Sequence, residues 1–477
     1  MIRRTLLLLA ALAPLATAHV GSPNIYLDGK AGPYQLFVTI RPPTAIPGVA
    51  AIEVRSESAG VSEIRAVPLP MSGPGAKFAP VPDKLTQSRE DPQFFTGSLW
   101  MMATGSWEVR LTVNGARGRG AIAVPVPAAA QSLKKMNRGL GALLGVLMLF
   151  LVFGAVAMVG ASVREARLEP GAVPDARNTR RARIAMAVTF AVVLAVLWLG
   201  NRWWSSEQRS YANNVYKPLA MSASVDPSGV LTLNLSDPGW LRRTFDDLVP
   251  DHNHLMHLYA IRQPGMDAVY HLHPDQVESG LFRLDLPRMQ PGTYKLYADI
   301  VHANGFPETM VTSVGISALP GRPLTGDDAA GCAPPWNAVS STSTVFALPD
   351  GYRMEWLRGT EALRANEPRM FRFRLEDPHG QPPRDMAFYM GMLGHAAFVK
   401  TNGTVFAHIH PTGSVSMAAF MMAQGMMPDM NMETSESSLP NTVGFPYGFP
   451  SPGRYRIIVQ MKHGETVETG IFDANIQ

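Results

Sequence analysis

Apolar and polar positions along this chain follow three different rhythms. Over residues 19–128, short runs such as YQLFVTI, AAIEVRS, EIRAVPL, SWEVRLTV and GAIAVPVP alternate between the two kinds of residue, with Gly, Pro and Asn between them. A period of two, broken by turn residues at short intervals, predicts a half-buried antiparallel β domain. The rhythm then stops. Residues 139–161 and 184–204 hold two apolar stretches, and the parts Gly139–Ala161 and Ile184–Gly200 carry no charge, which predicts two transmembrane helices. From residue 219 the short alternating runs return as LTLNL, HLMHLYAI, LFRLDL and TYKLYADIV, and after a Gly/Pro-rich linker at 319–337 as RMFRFRLED, HAAFVK, TVFAHIH and YRIIVQMK. Two further β domains are expected, at 219–318 and 338–477.

Charge and composition place these domains. The first 18 residues read as a secretory signal peptide: Arg3 and Arg4, an apolar Thr5–Ala16 run, then Ala16-Thr17-Ala18 as a small-residue cleavage site. Between the spans, the loop 162–183 carries Arg164, Arg167, Arg177, Arg180, Arg181 and Arg183 against three acids, so it should face the cytoplasm. The polar parts on both sides of the hairpin are then exocytoplasmic. A bacterial cytoplasmic (inner) membrane with the main domains in the periplasm is the expected location. A single cysteine, Cys332, rules out an internal disulfide and any thiolate cluster, and a net charge of +4 gives no reason to expect nucleic acid. No Gly-rich phosphate loop, GxSxG or HExxH occurs, so an enzyme is not expected.

One pattern occurs twice. HNHLMHLYAIRQPGMDAVYHLHP runs from His252 to Pro274, and YMGMLGHAAFVKTNGTVFAHIHP from Tyr389 to Pro411. Each has a central histidine (His257, His395), then a His-x-His-Pro unit (His271 and His273; His408 and His410). Each continues to a Gly-x-Tyr (Tyr294, Tyr455) followed eight residues later by His302 or His463. Landmarks in matching order predict two copies of one module. On a strand, residues two apart share a face, so each His-x-His is a two-nitrogen chelate that a neighbouring histidine can complete. The expected ligands are His252, His254, His257, His271, His273 and His302 in the first copy.

In the second copy they are Met390, Met392, His395, His408, His410 and His463. Aligned on His257 and His395, His252 falls on Met390 and His254 on Met392. Imidazole suits Cu(II), Zn and Ni, whereas thioether selects Cu(I), so copper is the expected metal. The first copy should prefer Cu(II) and the second Cu(I). A methionine run, Met417, Met421, Met422, Met426, Met427, Met430 and Met432, reads as a loop beside the second site. His19, first after cleavage, offers an amine and an imidazole together. This junction resembles that of copper-binding periplasmic proteins of the CopC type.

The tract carrying Met256, His257, His271, His273, Pro274, Pro291, Gly292, Tyr294, Tyr297 and Asp299 resembles the YtkA-like/FixH-like exported β domains. The second copy matches through His395, His408, His410, Pro411, Pro452, Gly453 and Tyr455. The resemblance implies an immunoglobulin-like or cupredoxin-like sandwich and little about activity. The fold expected overall is mainly β, with three immunoglobulin-like/cupredoxin-like sandwiches plus a two-helix transmembrane hairpin. The function expected is a membrane-anchored protein that buffers or delivers copper, with a periplasmic copper-handling or oxidase-assembly protein as the expected partner. The alternative is an exocytoplasmic interaction or assembly module with structural histidines.

Overall fold

The structure, a computed structural model, describes residues 19–20, 24–169, 171–241, 243–318, 321–338, 343–426 and 439–477. The expected signal peptide and Met427, Met430 and Met432 lie outside the described residues. Two units form: Met1–Ala129 with Lys217–Gln477, and Ala130–Tyr216. The first is built of β-sandwiches. Its N-terminal sandwich packs a five-stranded sheet, from Ile25–Ala31 at one edge to Thr86–Gln87 at the other, against a four-stranded one that includes Gly105–Gly115 and Gly118–Ala128. Along Tyr34–Arg41, Tyr34, Leu36, Val38 and Ile40 are all buried, as the period of two demands. A separate two-residue strand, β1 (His19–Val20), pairs elsewhere.

The second unit is two helices, α1 (Arg138–Glu165) and α2 (Ala176–Asn213). Asn137 and Asp175 cap them by accepting backbone N–H bonds. Both are long and apolar enough to cross a membrane, with mean hydropathy 2.8 and 2.2. They pack on each other at Gly160, where a methyl group would collide with Met186. The helices outrun the apolar stretches: Arg177, Arg180, Arg181 and Arg183, expected in a loop, form the start of α2. Arginine is a good helix former, so a basic segment extends a helix without an apolar face.

Both repeats are sandwiches, and their registers coincide. In the first, β2 (His257–Gln263) lies between β3 (Ala268–Leu272) and β4 (Gly292–Val301), with β5 (Ala329–Cys332) added beyond β3. In the second, β6 (His395–Lys400) lies between β7 (Val405–Ile409) and β8 (Gly453–His463), and β9 (Thr466–Ile476) pairs with β8. His257 pairs with Asp299 and Arg262 with Tyr294; His395 pairs with Gln460 and Lys400 with Tyr455. Each offset is identical. Tyr294 and Tyr455 also donate to the carbonyl four residues back, Gln290 and Ser451, at 2.8 and 2.9 Å. Such a tyrosine corner is a hallmark of immunoglobulin-like sandwiches.

Two additions were not legible as strands. Part of the expected linker becomes β5, pairing with β3 so that Ala329 lies opposite His271. At the matching edge of the second repeat, β1 runs parallel to β7, with His19 opposite Val405.

The two large sheets face each other. Leu258, Ala260 and Tyr270 point into the first sandwich core, and Ala396, Phe398 and Ala407 into the second. The alternate residues Tyr259, Ile261, Val269, Ala397, Val399 and Phe406 form a third core between the repeats. Strands buried on both faces cannot alternate in hydropathy, which is why this stretch reads as nearly continuous apolar sequence. Arg456, 1% exposed, fastens the same seam. Its guanidinium holds Asp473 at 3.0 Å through two nitrogens and donates to the carbonyls of Met266 and Pro334 at 2.7 and 2.9 Å.

Candidate metal centre

The residue facing the seam at one end of each central strand is a histidine. His257 and His395 begin β2 and β6; His271 and His273, and His408 and His410, lie at the ends of β3 and β7. Ahead of each central strand a two-residue turn projects. Asp251 pairs with His254 across His252-Asn253, and Tyr389 with Met392 across Met390-Gly391. All four central residues have positive φ, between 50° and 74°, the conformation of a tight type I′ turn. Asn253 and Gly391 suit it.

Eight of the twelve histidines meet here. His257, His271 and His273 offer one nitrogen each within 4.8 Å of one another, and so do His252, His395 and His410. The second trio is composite. His252 comes from the first repeat's turn, with ring centroids 4.8 Å from His395 and 4.9 Å from His410. His408 sits between the trios, 5.4 Å from His257 and 4.7 Å from His410. His254 stacks on His273 at 3.9 Å, with its side chain 27% exposed.

Hydrogen bonds fix the tautomers. His257 Nε2–H donates to the Asp251 carbonyl at 2.9 Å, which leaves Nδ1 as a bare lone pair. His271 Nδ1–H donates to Gln460 Oε1 at 2.9 Å, and Gln460 Nε2 in turn donates to Thr469. His271 Nε2 is therefore bare too, and it faces His257 Nδ1 at 3.2 Å. Two lone pairs at that distance repel unless a cation lies between them. Metal bonds of ~2.0 Å in a tetrahedral site give ligand edges of about 3.3 Å, which matches. The same division recurs around the seam. His273 Nδ1 engages Asp328 at 3.1 Å, His408 Nδ1 engages Asp299 at 3.3 Å, and His410 Nδ1 donates to the Val415 carbonyl at 3.0 Å. The Nε2 atoms of His252, His273, His395, His408 and His410, and Nδ1 of His395 as well, are buried without a hydrogen-bond partner. One nitrogen anchored and one bare, as in His257, His271, His273, His408 and His410, is the pattern of metal-ligating histidine.

Burial sets the charge states. It lowers His252 and His257 to about 3, and holds His271, His273, His395 and His408 well below the usual histidine range. The rings are neutral, the form a metal requires. Burial also raises Asp299 to about 7 and Asp328 to about 6, whereas the hydrogen bond from His254 lowers Asp327. Removing an anchor should loosen a ligand without deleting it. Gln460→Leu is expected to weaken metal affinity about 10–100-fold, read by competition with a chromophoric chelator. An unchanged affinity would show that His271 needs no anchor.

Several expected ligands stand elsewhere. His302 is held by Asp247 at 2.9 Å and Glu308 at 3.3 Å, and Glu308 is also paired with Arg243. His463 lies by Asp385 and Glu468 at 3.4 and 3.3 Å, and stacks on Tyr352. Both sit at the far ends of β4 and β8, where they tie the segment before the turn to the sheet. They do not complete the histidine trios. His463 with Asp350 and Glu468 forms a distinct carboxylate-rich group. Met390 and Met392 are buried in the second turn, and Met390 packs against Tyr389 and Ala329 of the first repeat's sheet. The methionine run is not all loop: Met417, Met421 and Met422 lie on α3 (Met417–Ala423), capped by Ser416. His19 is placed only by its backbone, in β1.

The expectation of one independent site in each repeat is therefore corrected. The histidines of both repeats line one seam, because the sheets pack through the faces that carry them. Gln460, Asp299, Asp328 and Tyr389 were missed. Their signal was available, since Asp299 and Gln460 occupy equivalent positions five residues after the corner tyrosines.

Two segments, residues 216–316 and 344–477, match the model of the family described as "Domain of unknown function (DUF8832)". No curated protein matches the sequence. Among solved structures, a tetra-tandem repeat from the extending region of a large adhesion protein aligns over 91% of this chain and 71% of its own, at 8% identity and TM-score 0.16. A bacterial ice-binding adhesin aligns over 90% and 91% at 6% identity and TM-score 0.14. A fragment of the ICAM-5 ectodomain aligns over 93% and 77% at 8% identity and TM-score 0.15. Likeness at these scores has no bearing on the site. The family match, in contrast, covers the two sandwiches that carry the histidines and leaves out the N-terminal sandwich and the helix pair.

Proposed function

We propose that this chain is a membrane-anchored exocytoplasmic protein that holds copper in the seam between its two repeats, as a store or donor. The observation that carries the reading is the set of buried, bare imidazole nitrogens converging from both repeats. A structural histidine uses both nitrogens, as His302 does; these leave at least one bare. Leaving a buried polar atom unpaired costs about 1–3 kcal/mol, so five such atoms in one place need a ligand. Imidazole without thiolate suits copper, zinc or nickel, and copper is the tightest of the divalent ions at such sites. Protein purified without added metal and then incubated with copper should retain it through gel filtration. The double variant His271→Ala/His395→Ala should not. Equal retention by wild type and variant would defeat the proposal and favour the interaction-module alternative.

The exocytoplasmic placement rests on the arginines around the α1–α2 connection (Arg164, Arg167, Arg177, Arg180, Arg181 and Arg183) and on the N-terminal signal sequence read from the chain. In a Cys332→Ser background, Ser206→Cys should react with a membrane-impermeant thiol reagent on intact spheroplasts, and Ala172→Cys should not. The reverse labelling would put the histidine seam in the cytoplasm.

A further inference from the structure

We infer that the seam contains two chemically unlike copper sites, each built from three histidines of one repeat and the turn of the other. His257, His271 and His273 take the Met390 thioether as their fourth ligand. His395, His408 and His410 take the His252 imidazole. This rests on the copper reading above and adds the number of ions, their ligands and the valence each site selects.

The argument is the internal symmetry. His257 and His395 begin equivalent strands in equivalent register, and His271 and His273 correspond to His408 and His410. The anchors are exchanged across the seam: Gln460 of the second repeat holds His271, and its counterpart Asp299 of the first faces His408. The turns are exchanged as well. His252 leaves its own repeat to lie by His395 and His410. Met390, at the same position of the same kind of turn, packs on Ala329, which pairs with His271. Its neighbour Tyr389 bonds His271 Nδ1 at 3.3 Å and the Asp327 carbonyl at 2.7 Å. The second turn thus sits on the first repeat's histidines as the first turn sits on the second's.

Two ions are inferred because the nitrogens fall into two distinct trios, His257–His271–His273 and His252–His395–His410, each within 4.8 Å. His408 lies between the trios, 5.4 Å from His257 and 4.7 Å from His410, and is assigned to the second by its correspondence to His271. Asp299, Asp327 and Asp328 contact seam histidines through their carboxylates, and Asp251 through its backbone carbonyl. A thioether among three imidazoles favours the soft Cu(I), and four imidazoles favour Cu(II). The valence preference expected from the sequence is thereby reversed between the repeats: the methionine of the second serves the first.

The test uses the full chain in detergent. Wild type should bind two copper ions, and X-ray absorption of the Cu(I) form should contain a sulfur contribution. Met390→Leu should abolish that contribution and weaken one Cu(I) site at least about tenfold, by competition with a chromophoric chelator. The Cu(II) resonance spectrum at one equivalent should survive Met390→Leu and change in His252→Leu. One ion per chain, or a sulfur contribution that persists in Met390→Leu, would overturn the inference while the copper reading stood. Failure of wild type to bind copper at all would overturn both. If Met390→Leu misfolds by circular dichroism, Met390→His is the second variant. It should fold, lose the sulfur contribution, and shift the first site towards Cu(II).

Discussion

Metal-free protein should lose several kcal/mol of stability between pH 6.5 and pH 5, while copper-loaded protein loses far less. The sign follows from six histidines, His252, His257, His271, His273, His395 and His408, whose folded values lie below the ordinary one. Above about 6.5 neither the folded nor the unfolded chain protonates them, so their contribution is fully present. Below it the unfolded chain takes up protons that the folded chain refuses. Each refused proton costs about 1.4 kcal/mol per pH unit, and the protons that the folded chain takes up on Asp299 and Asp328 as pH falls through about 7 and 6 offset part of the loss. The loss continues down to about 3 for His252 and His257. Such a loss is a large fraction of the stability of a domain, so the seam should loosen as pH falls towards 5. Bound copper occupies the nitrogens and competes with protons, which delays the transition. Urea titrations of both forms at pH 7.5, 6 and 5 would measure it. A flat profile for the metal-free form would mean that the histidines reach solvent.

Much of this architecture was legible. The two repeats, their central histidines and the corner tyrosines came from landmark spacing alone, and the structure places His257 and His395 in the same register. The transmembrane-length helices came from uncharged length. What could not be read was which sheet faces would meet. His271 and His273 share a face by strand geometry, but nothing in one repeat says that this face is covered by the other. The seam residues Tyr259, Ile261, Val399 and Phe406 look the same in sequence as residues of a sandwich core. The turn residues posed the opposite problem. His252 and Met390 were correctly aligned with each other and then assigned to their own repeats, because adjacency along the chain suggests adjacency in space. For His252 the exchange of turns across the seam reverses that assignment. His302 and His463 were misplaced for a simpler reason. They stand three residues beyond Asp299 and Gln460, which pair with His257 and His395, and an odd step along a strand turns a side chain to the opposite face, where acidic residues hold it.

Arg456→Ala should cost metal-free protein about 3–5 kcal/mol, on the order of 10 °C in melting temperature. The arginine is buried and makes two bonds to Asp473, which is also buried. Its remaining donors reach the carbonyls of Gly265, Met266 and Pro334, all on the first-repeat side of the seam. Alanine leaves the Asp473 carboxylate with Arg454 at 3.7 Å as its remaining basic contact, and strips three carbonyls of a donor. Lysine should recover only part of the loss, because one ammonium cannot replace a planar fork that satisfies four acceptors at once. Asp473→Leu in the alanine background should recover more, since it removes the stranded charge. Denaturant titration of the three variants separates these terms. A cost below about 1 kcal/mol for Arg456→Ala would mean that the apolar seam alone holds the repeats together. A cost in the expected range would make Arg456 the clamp that keeps both turns over the histidines they reach. Copper affinity should then fall with stability in Arg456→Ala although the substitution touches no ligand.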